Sequence, residues 1–272
     1  MRQNYLHVRN EYVIMHLVAK RIFTFHTAGC ESRSHEGKKE ELSMNKAYLK
    51  FKYAFGFLLA LIGVIALSPL MAAVAIAIKA EDGGPVIFKQ KRTGAGGKKF
   101  NCYKFRSMKS TQVSFDKDHP VIQDNNANVT KVGKIIRKFK IDELPQLFNV
   151  LKGDMCFIAP RPLLPVYDSD YEDWELVKFE MRPGLTGLGQ VYGNGYLDMK
   201  DRKYYDVYYT MHASPWLDFK ILIKTIGVVF LGEERFLRPV SEQEYRHLKR
   251  EVKRRYTVQP ETAAELHPST LS

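Results

Sequence analysis

An uncharged run of 25 residues, from residue 54 to residue 78, limits more than any other feature how this chain can fold. A run of this length can cross the hydrocarbon core of a bilayer as one helix. Ser68 and Pro69 interrupt it, and because proline lacks an amide hydrogen we expect the helix to bend there. The arms on either side would be roughly 21 and 15 Å long at 1.5 Å per residue, and each is shorter than a core of about 30 Å.

Charge on the two flanks separates a spanning helix from a re-entrant one. Cations precede the run at Lys46, Lys50 and Lys52, and follow it at Lys79, Lys89, Lys91, Arg92, Lys98 and Lys99. The positive-inside rule therefore places both ends on the cytosolic face. We favour a re-entrant membrane helix that breaks at Ser68 and Pro69. The alternative is a single-pass anchor with a proline kink, since proline is tolerated in spanning helices.

The composition restricts the partners and the compartment. The chain has 272 residues and a formal net charge of +12, which implies an anionic partner such as nucleic acid, membrane lipid or a phosphorylated substrate. A nucleic-acid binder would explain this charge but not the uncharged run. Three cysteines with no CxxC pair favour neither a disulfide framework nor a zinc site. The cytosolic side of a membrane fits these features best.

Two adjacent carboxylates, Asp142 and Glu143, follow a basic segment. The cations just before them are Lys131, Lys134, Arg137, Lys138 and Lys140, a setting that keeps both acids ionised near neutral pH. Apolar residues at helical spacing predict a helix that leads into the pair, with Thr130 as its N-cap and Pro145 turning the chain beyond it. Such a site can hold a metal and a phosphate together. The alternative is a pair of solvated acids that offset the basic helix.

Two arginines lie in restricted backbone. Arg161 is flanked by Pro160 and Pro162, and Arg182 precedes a Pro-Gly turn. A restrained arginine can bind a phosphate bidentately at a small entropic cost. The alternative is a proline-rich turn with an exposed arginine.

The remaining segments predict further elements. Residues 85–92 and 98–108 alternate partly around the glycine-rich residues 93–97, which indicates a β-hairpin rather than a phosphate-binding loop, because no helix follows the glycines. Residues 167–181 predict an acidic amphipathic helix, and residues 216–232 an interfacial or core helix that is too short and too charged to cross a membrane. The basic residues 241–256 predict a helix that either rests on anionic lipid or is solvated.

These motifs, in this order, resemble those of the bacterial sugar transferase family, the monotopic phosphoglycosyl transferases. They are SP at 68–69, GPV at 84–86, FKQKR at 88–92, YKFRSM at 103–108, DELPQL at 142–147, NVLKGDM at 149–155, PRP at 160–162 and RPGLTG at 182–187. The resemblance extends from about residue 46 to residue 232. Two departures are Gly189, where the family pattern has alanine, and Pro215, which interrupts the usual run before the last apolar helix.

The resemblance implies transfer of a sugar phosphate from a UDP-sugar to undecaprenyl phosphate, at the start of exopolysaccharide or lipopolysaccharide assembly. Asp142 would attack the β-phosphorus, release UMP and carry the phosphosugar covalently. Glu143 would be the second acid, which binds metal or assists the lipid acceptor. Mg²⁺ would be held by Asp142, Glu143 and substrate phosphate. The cations expected to bind substrate phosphate are Arg106, Arg137, Arg161 and Arg182.

The expected fold is α+β, a helix-rich monotopic membrane protein with one re-entrant helix, a β-hairpin and a cytosolic catalytic domain with amphipathic interfacial helices. We predict a dispensable extension at 1–43, the membrane helix region at 44–80, the catalytic domain at 81–232 and a basic tail at 233–272. The chain resembles the family's short form and is expected at the bacterial inner membrane, facing the cytosol. Expected partners are membrane lipids and downstream glycosyltransferases, but no nucleic acid. The alternative function is a non-catalytic, basic, membrane-anchored adaptor of a glycan assembly complex.

Overall fold

The computed structural model describes residues 46–109 and 126–256. Most of these residues are helical, and the α-helices are α1 (Lys46–Asp82), α2 (Lys131–Lys138), α3 (Gln146–Lys152), α4 (Leu188–Val191), α5 (Met199–His212), α6 (Pro215–Leu231) and α7 (Glu242–Tyr256). The strands are β1 (Ile87–Thr93), β2 (Lys99–Phe105), β3 (Cys156–Ile158) and β4 (Gly184–Thr186). The predicted extension at 1–43 and the last 16 residues lie outside the described residues.

Helix α1 contains the whole uncharged run and continues through Ser68 and Pro69, where the sequence predicted a break. Pro69 cannot donate to the carbonyl of Ile65, four residues earlier. The Ser68 hydroxyl donates to this carbonyl instead, at 2.8 Å. The side chain therefore satisfies the acceptor that proline leaves without an amide, and the helix tolerates the imino acid.

One helix among the described residues, α1, is long and apolar enough to cross a membrane. Much of its apolar surface is exposed, through Phe51, Phe55, Leu58, Ile62, Ile65, Leu70 and Ile76. Both ends of α1 nevertheless contact the rest of the fold. Lys52 bonds to Asp218 of α6 near one end, and Asp82 pairs with Arg106 beyond β2 at the other.

The four strands form two small sheets of two strands each. Strands β1 and β2 pair antiparallel, with Ile87 opposite Phe105 and Thr93 opposite Lys99. A short 3₁₀ turn at Ala95–Gly97 connects them, and Gly96 and Gly97 take positive φ there, which glycine adopts readily. Strands β3 and β4 pair parallel through Cys156 with Gly184 and Ile158 with Thr186. Because β4 follows the Arg182-Pro183 turn, this pairing holds the turn next to β3, where the amide of Cys156 donates to the carbonyl of Pro183 at 2.8 Å.

The main core lies around α5. Its buried members are Cys156, Ile158, Ala159, Trp174, Val177, Met181, Leu188, Val191, Leu197, Tyr204, Tyr205, Val207, Tyr209, Met211, Ile221, Val228, Leu248 and Val252. Leu248 and Val252 belong to α7, so one face of this basic helix packs against the core around α5. The predicted acidic helix over 167–181 is wrong, because two 3₁₀ segments, Pro165–Asp170 and Asp173–Glu180, occupy this stretch.

Helix α6 is the predicted interfacial or core helix, and it exposes most of its apolar side chains. The exposed ones are Trp216, Phe219, Leu222, Ile223, Ile226, Phe230 and Leu231. Pro215, the departure noted from the family pattern, is the first residue of this helix, and the Ser214 hydroxyl caps it by accepting from the amide of Leu217. Proline suits this position because the amide of a first helical residue has no intrahelical acceptor.

Candidate active site

Asp142 and Glu143 lie on a 3₁₀ turn, Ile141–Glu143, between α2 and α3. Helix α2 begins as predicted, with the Thr130 hydroxyl accepting from the amide of Gly133 at 2.9 Å. It ends at Lys138, and Lys140 then takes the left-handed conformation, with φ 57°. The chain therefore leaves α2 before the acids, so that the two carboxylates face different surroundings.

The Asp142 side chain is buried, with 9% relative exposure. Burial raises the pKa of Asp142 to about 6, and the negative charge of Glu143 adds to this effect. Lys104, Arg137 and Lys140 partly offset both causes. Asp142 is therefore mostly ionised at neutral pH and is poorly solvated, which favours a reactive carboxylate.

Glu143 lies between two cations. Its carboxylate pairs bidentately with the Arg161 guanidinium, at 2.5 Å to Oε1 and 3.3 Å to Oε2, and with the Lys104 ammonium at 2.7 Å. Burial alone would raise the pKa of Glu143, but Arg161 and Lys104 outweigh it and hold that pKa well below its ordinary value. Glu143 is therefore an ionised anchor for two cations beside Asp142.

The Pro160-Arg161-Pro162 turn brings its arginine into the site. The Arg92 guanidinium of β1 donates to the carbonyl of Pro162 at 3.2 Å, which ties the turn to the hairpin. Arg161 and Lys104 thus approach the acids from separate elements, the turn after β3 and strand β2. Together they place two cations on Glu143, and Lys104 is also close enough to Asp142 to lower its pKa.

The other predicted phosphate-binding arginines lie at different places. Arg137, in the last turn of α2, is close enough to Asp142 to lower its pKa. Arg182 lies over the ring of Tyr53 on α1, with its guanidinium carbon 4.5 Å from the ring centre. Arg106 pairs with Asp82 at the end of α1. The structure therefore brings Arg161 and Arg137 close to the acids and sets Arg182 and Arg106 against α1.

Sequence reasoning assigned no role to Lys104 or Asn149, although both lie in quoted motifs. The Asn149 side chain is fully buried, accepts from the amide of Tyr103 at 3.0 Å and donates to the carbonyl of Asn101 at 2.7 Å. It therefore fixes α3 against β2, the strand that carries Lys104. The alternation along β2 could have indicated that Lys104 shares a face with the buried Cys102.

Of the two acids, Asp142 is suited to bind a metal ion and Glu143 is less so. No group of three or more metal-binding side chains exists within residues 46–109 and 126–256. Magnesium often uses only one or two carboxylates together with substrate phosphates. The Asp142 carboxylate accepts no hydrogen bond from a described residue and fits as one ligand, whereas Glu143 already carries Lys104 and Arg161.

A family model described as Bacterial sugar transferase matches residues 47–232. The chain therefore belongs to the bacterial sugar transferase family, as its motifs predicted.

Three individual relatives show what this chain is similar to. A UDP-N-acetylgalactosamine-undecaprenyl-phosphate N-acetylgalactosaminephosphotransferase of Aeromonas hydrophila is 40% identical over 204 residues, covering 73% of this chain and 48% of the relative. A UDP-glucose:undecaprenyl-phosphate glucose-1-phosphate transferase of Klebsiella pneumoniae is 32% identical over 257 residues, covering 85% of this chain and 54% of the relative. The exopolysaccharide production protein ExoY of Sinorhizobium fredii is 36% identical over 198 residues, covering 66% of this chain and 86% of the relative. The chain spans about half the length of the first two.

Proposed function

We propose that the protein transfers a sugar 1-phosphate from a UDP-sugar to undecaprenyl phosphate through a covalent intermediate on Asp142. One observation carries the proposal: a buried, poorly solvated Asp142 lies beside a Glu143 that is fixed by Arg161 and Lys104. The names of the relatives supply the substrate classes, a UDP-sugar and undecaprenyl phosphate. The reaction would begin the assembly of a surface glycan.

In the first step an Asp142 oxygen attacks the β-phosphorus of the UDP-sugar. A bond forms between this oxygen and phosphorus, the bond from phosphorus to the bridging oxygen breaks, and UMP leaves with the electron pair. In the second step a phosphate oxygen of the lipid attacks the same phosphorus. The acyl phosphate bond then breaks, and Asp142 is regenerated as a carboxylate.

The cations of the site would stabilise the charge that develops on the diphosphate. Lys104, Arg161 and Arg137 surround the acids, and preorganised positive charge is the main contribution of a protein to phosphoryl transfer. We propose Mg²⁺ as the cofactor, with Asp142 as a protein ligand and Glu143 joining only where substrate displaces one of its cations. When bound, the ion would neutralise part of the diphosphate charge.

The same proposal places the protein at the cytosolic face of the inner membrane, with α1 as a re-entrant helix. The bonds from Lys52 to Asp218 and from Asp82 to Arg106 support this arrangement, because they tie both ends of α1 to one folded body. A spanning helix would carry one end to the opposite side of the bilayer. The exposed apolar side chains of α1 and α6 would then face lipid.

The test is incubation of the purified protein with Mg²⁺ and a panel of UDP-sugars, without lipid. The panel includes the N-acetylgalactosamine and glucose forms, because the relatives' names contain these sugars. We expect UMP release with at least one sugar, and a phosphosugar mass on the Asp142 peptide. Asp142→Asn should abolish both signals.

Two controls make this experiment decisive. Glu242→Gln changes an exposed carboxylate on α7 that pairs with Lys200, and it should leave UMP release measurable. Chelation of Mg²⁺ should stop the release if the ion is required. If no sugar of the panel gives an adduct, the covalent mechanism is wrong. Full cellular function of the Asp142→Asn variant would favour the alternative function, a non-catalytic membrane-anchored adaptor.

A further inference from the structure

The Pro160–Pro162 turn has an unusual hydrogen-bonding pattern. Neither proline has an amide hydrogen, so Arg161 supplies the only backbone donor of the turn. The amide of Arg161 donates to the Asp206 carboxylate at 3.3 Å, and its carbonyl accepts from the Lys178 ammonium at 3.4 Å. Both backbone groups of the site arginine are therefore engaged by charged side chains.

Asp206 and Lys178 form a buried ion pair with each other. The Lys178 ammonium lies 2.6 Å from the Asp206 carboxylate, and their side chains are 3% and 6% exposed. The Tyr171 hydroxyl also contacts this ammonium, at 2.9 Å. Asp206 comes from α5 and Lys178 from the Asp173–Glu180 segment, so the pair joins two elements behind the turn.

Stability alone does not explain this pair. Removing two charges from water costs several kcal/mol per ion, and apolar residues of similar volume often replace such a pair without loss of stability. This pair also orients the backbone of Arg161. The carboxylate faces the amide of Arg161 and the ammonium faces its carbonyl, so the pair opposes rotation of the peptide groups on both sides of Arg161.

We propose that Lys178 and Asp206 are positioning residues that hold the backbone of Arg161, and through it the guanidinium that binds Glu143 beside Asp142. This inference rests on the proposed function for its kinetic consequence only. Neither residue touches the acids, and neither lies in a motif that the sequence analysis singled out. Their effect is transmitted through the turn.

The fold offers a matched control, the ion pair between Lys203 and Glu175. It joins the same two elements, with a separation of 2.9 Å and side chains that are 9% and 3% exposed. Its ammonium contacts the carbonyl of Asp170 rather than Arg161. The two pairs therefore share burial, chemistry and location, and differ in their contact with the turn.

The experiment compares Lys178→Met/Asp206→Asn with Lys203→Met/Glu175→Gln in the full chain. We expect similar changes in melting temperature, because each variant neutralises one buried pair. UMP release per folded molecule should fall at least about tenfold in the first variant, as loss of a charge-assisted contact predicts, and stay within about twofold in the second. Equal losses, or no loss in either variant, would overturn the proposal.

A second measurement does not depend on activity. In ¹⁵N-arginine-labelled protein, the guanidinium resonance of Arg161, assigned with Arg161→Lys, should shift or broaden in the Lys178→Met/Asp206→Asn variant and stay unchanged in the control. An unchanged resonance in both variants would overturn the positioning role. If the resonance responds while the wild-type protein releases UMP from no UDP-sugar, the proposed function fails and the positioning role stands.

Discussion

Asp142 and Glu143 are neighbours in the chain, yet their surroundings shift their pKa values in opposite directions. Asp142 is desolvated and lies next to a negative charge, so its pKa rises to about 6. Glu143 is also buried, but Arg161 and Lys104 hold its pKa well below the ordinary value. Two acids whose pKa values are separated in this way are suited to different roles. Glu143 can anchor cations at a pH where Asp142 begins to bind a proton.

This difference predicts how UMP release depends on pH. Only the carboxylate form of Asp142 is a nucleophile, and its raised pKa means that the proton returns as the pH falls through about 6. The rate in the absence of lipid should therefore fall below about pH 6. Glu143→Gln removes the negative charge that raises the Asp142 pKa and leaves Lys104 and Arg161 without their anion. The midpoint of the acid limb should consequently move to lower pH, even where the maximal rate is reduced.

The measurement is a pH–rate profile of UMP release for the wild type and for Glu143→Gln. Glu242→Gln, which changes an acid on α7 paired with Lys200, serves as the control and should leave the midpoint in place. A midpoint that stays unchanged or rises in Glu143→Gln would contradict this account of the two acids.

At the same scale, the sequence identified candidate site residues but not their contacts. The acids and Arg161 stood out because charge density and flanking prolines are visible locally, and Arg137 was identified through the family resemblance. Lys104 and Asp206 did not, since their positions depend on pairings between segments 39 and 45 residues apart in the chain. The raised pKa of Asp142 was equally hidden, because desolvation is a property of the packed fold.

Among the elements, the glycines of the RPGLTG region show how closely β4 approaches β3. A Cβ added at Gly187 would lie 2.1 Å from the carbonyl oxygen of Ala159, whereas one added at Gly189 would lie 3.6 Å from the Tyr205 Cβ and 3.9 Å from the Arg202 carbonyl oxygen. Gly187 is therefore required by contact with backbone. Gly189, where the family pattern has alanine, has room for a methyl group.

We accordingly expect Gly187→Ala to lower the free energy of unfolding by on the order of 2–4 kcal/mol, because the neighbouring backbone must move. Gly189→Ala, in helix α4, should be neutral or stabilising by up to about 1 kcal/mol, since alanine is the better helix former. Thermal unfolding of both variants in the same detergent checks this. Equal effects of the two substitutions would show that the contact at Gly187 relaxes easily.

Helix α1 is attached near its N-terminal end through a buried cation. Lys52 bonds to Asp218 and to the hydroxyl of Tyr209, and Tyr48 donates to the same carboxylate at 2.6 Å. Lys52→Met leaves Asp218 without its cation in a largely buried site. The free energy of unfolding should fall by on the order of 3 kcal/mol. This corresponds to a fall of roughly 6–12 °C in melting temperature for a domain of this size.

The control for this change is Lys50→Met on the same helix, where the lysine is exposed. It should alter the melting temperature by no more than about 2 °C. Limited proteolysis at the start of α1 gives an independent measurement, since release of this end should expose it in Lys52→Met alone. Identical melting and cleavage of the two variants would show that Lys52 does not hold α1 to α6.

Some helices and strands could be predicted from the sequence better than others. The apolar run predicted a helix with a break at Ser68 and Pro69, and α1 is helical from Lys46 to Asp82 through these two residues. The alternation on both sides of residues 93–97 agrees with the paired strands β1 and β2. The α-helix predicted over 167–181 is wrong, because the spacing of its apolar residues resembles an α-helix, while Pro165 and the capping box of Glu172 and Glu175 begin two separate 3₁₀ segments. Local residue propensities hardly distinguish an α-helix from a 3₁₀ helix.

On the scale of the whole molecule, α1 and α6 together expose a large apolar surface. Helix α1 is about 55 Å long at 1.5 Å per residue, well beyond the thickness of a hydrocarbon core of about 30 Å. It is also tied near both ends to the same folded body. A helix with these attachments can enter lipid with its exposed side chains only if its ends stay on one side of the membrane.

This topology predicts the sidedness of two single cysteines, Lys50→Cys and Ala80→Cys, which replace exposed residues on either side of the uncharged run. The background carries Cys30→Ser and keeps the buried Cys102 and Cys156. A membrane-impermeant maleimide should label both positions in inverted inner-membrane vesicles and neither in intact spheroplasts, because both ends face the cytosol. Labelling of the two positions from opposite sides would mean that α1 spans the bilayer. In that case its contacts with Asp218 and Arg106 could not exist together in the membrane-bound protein.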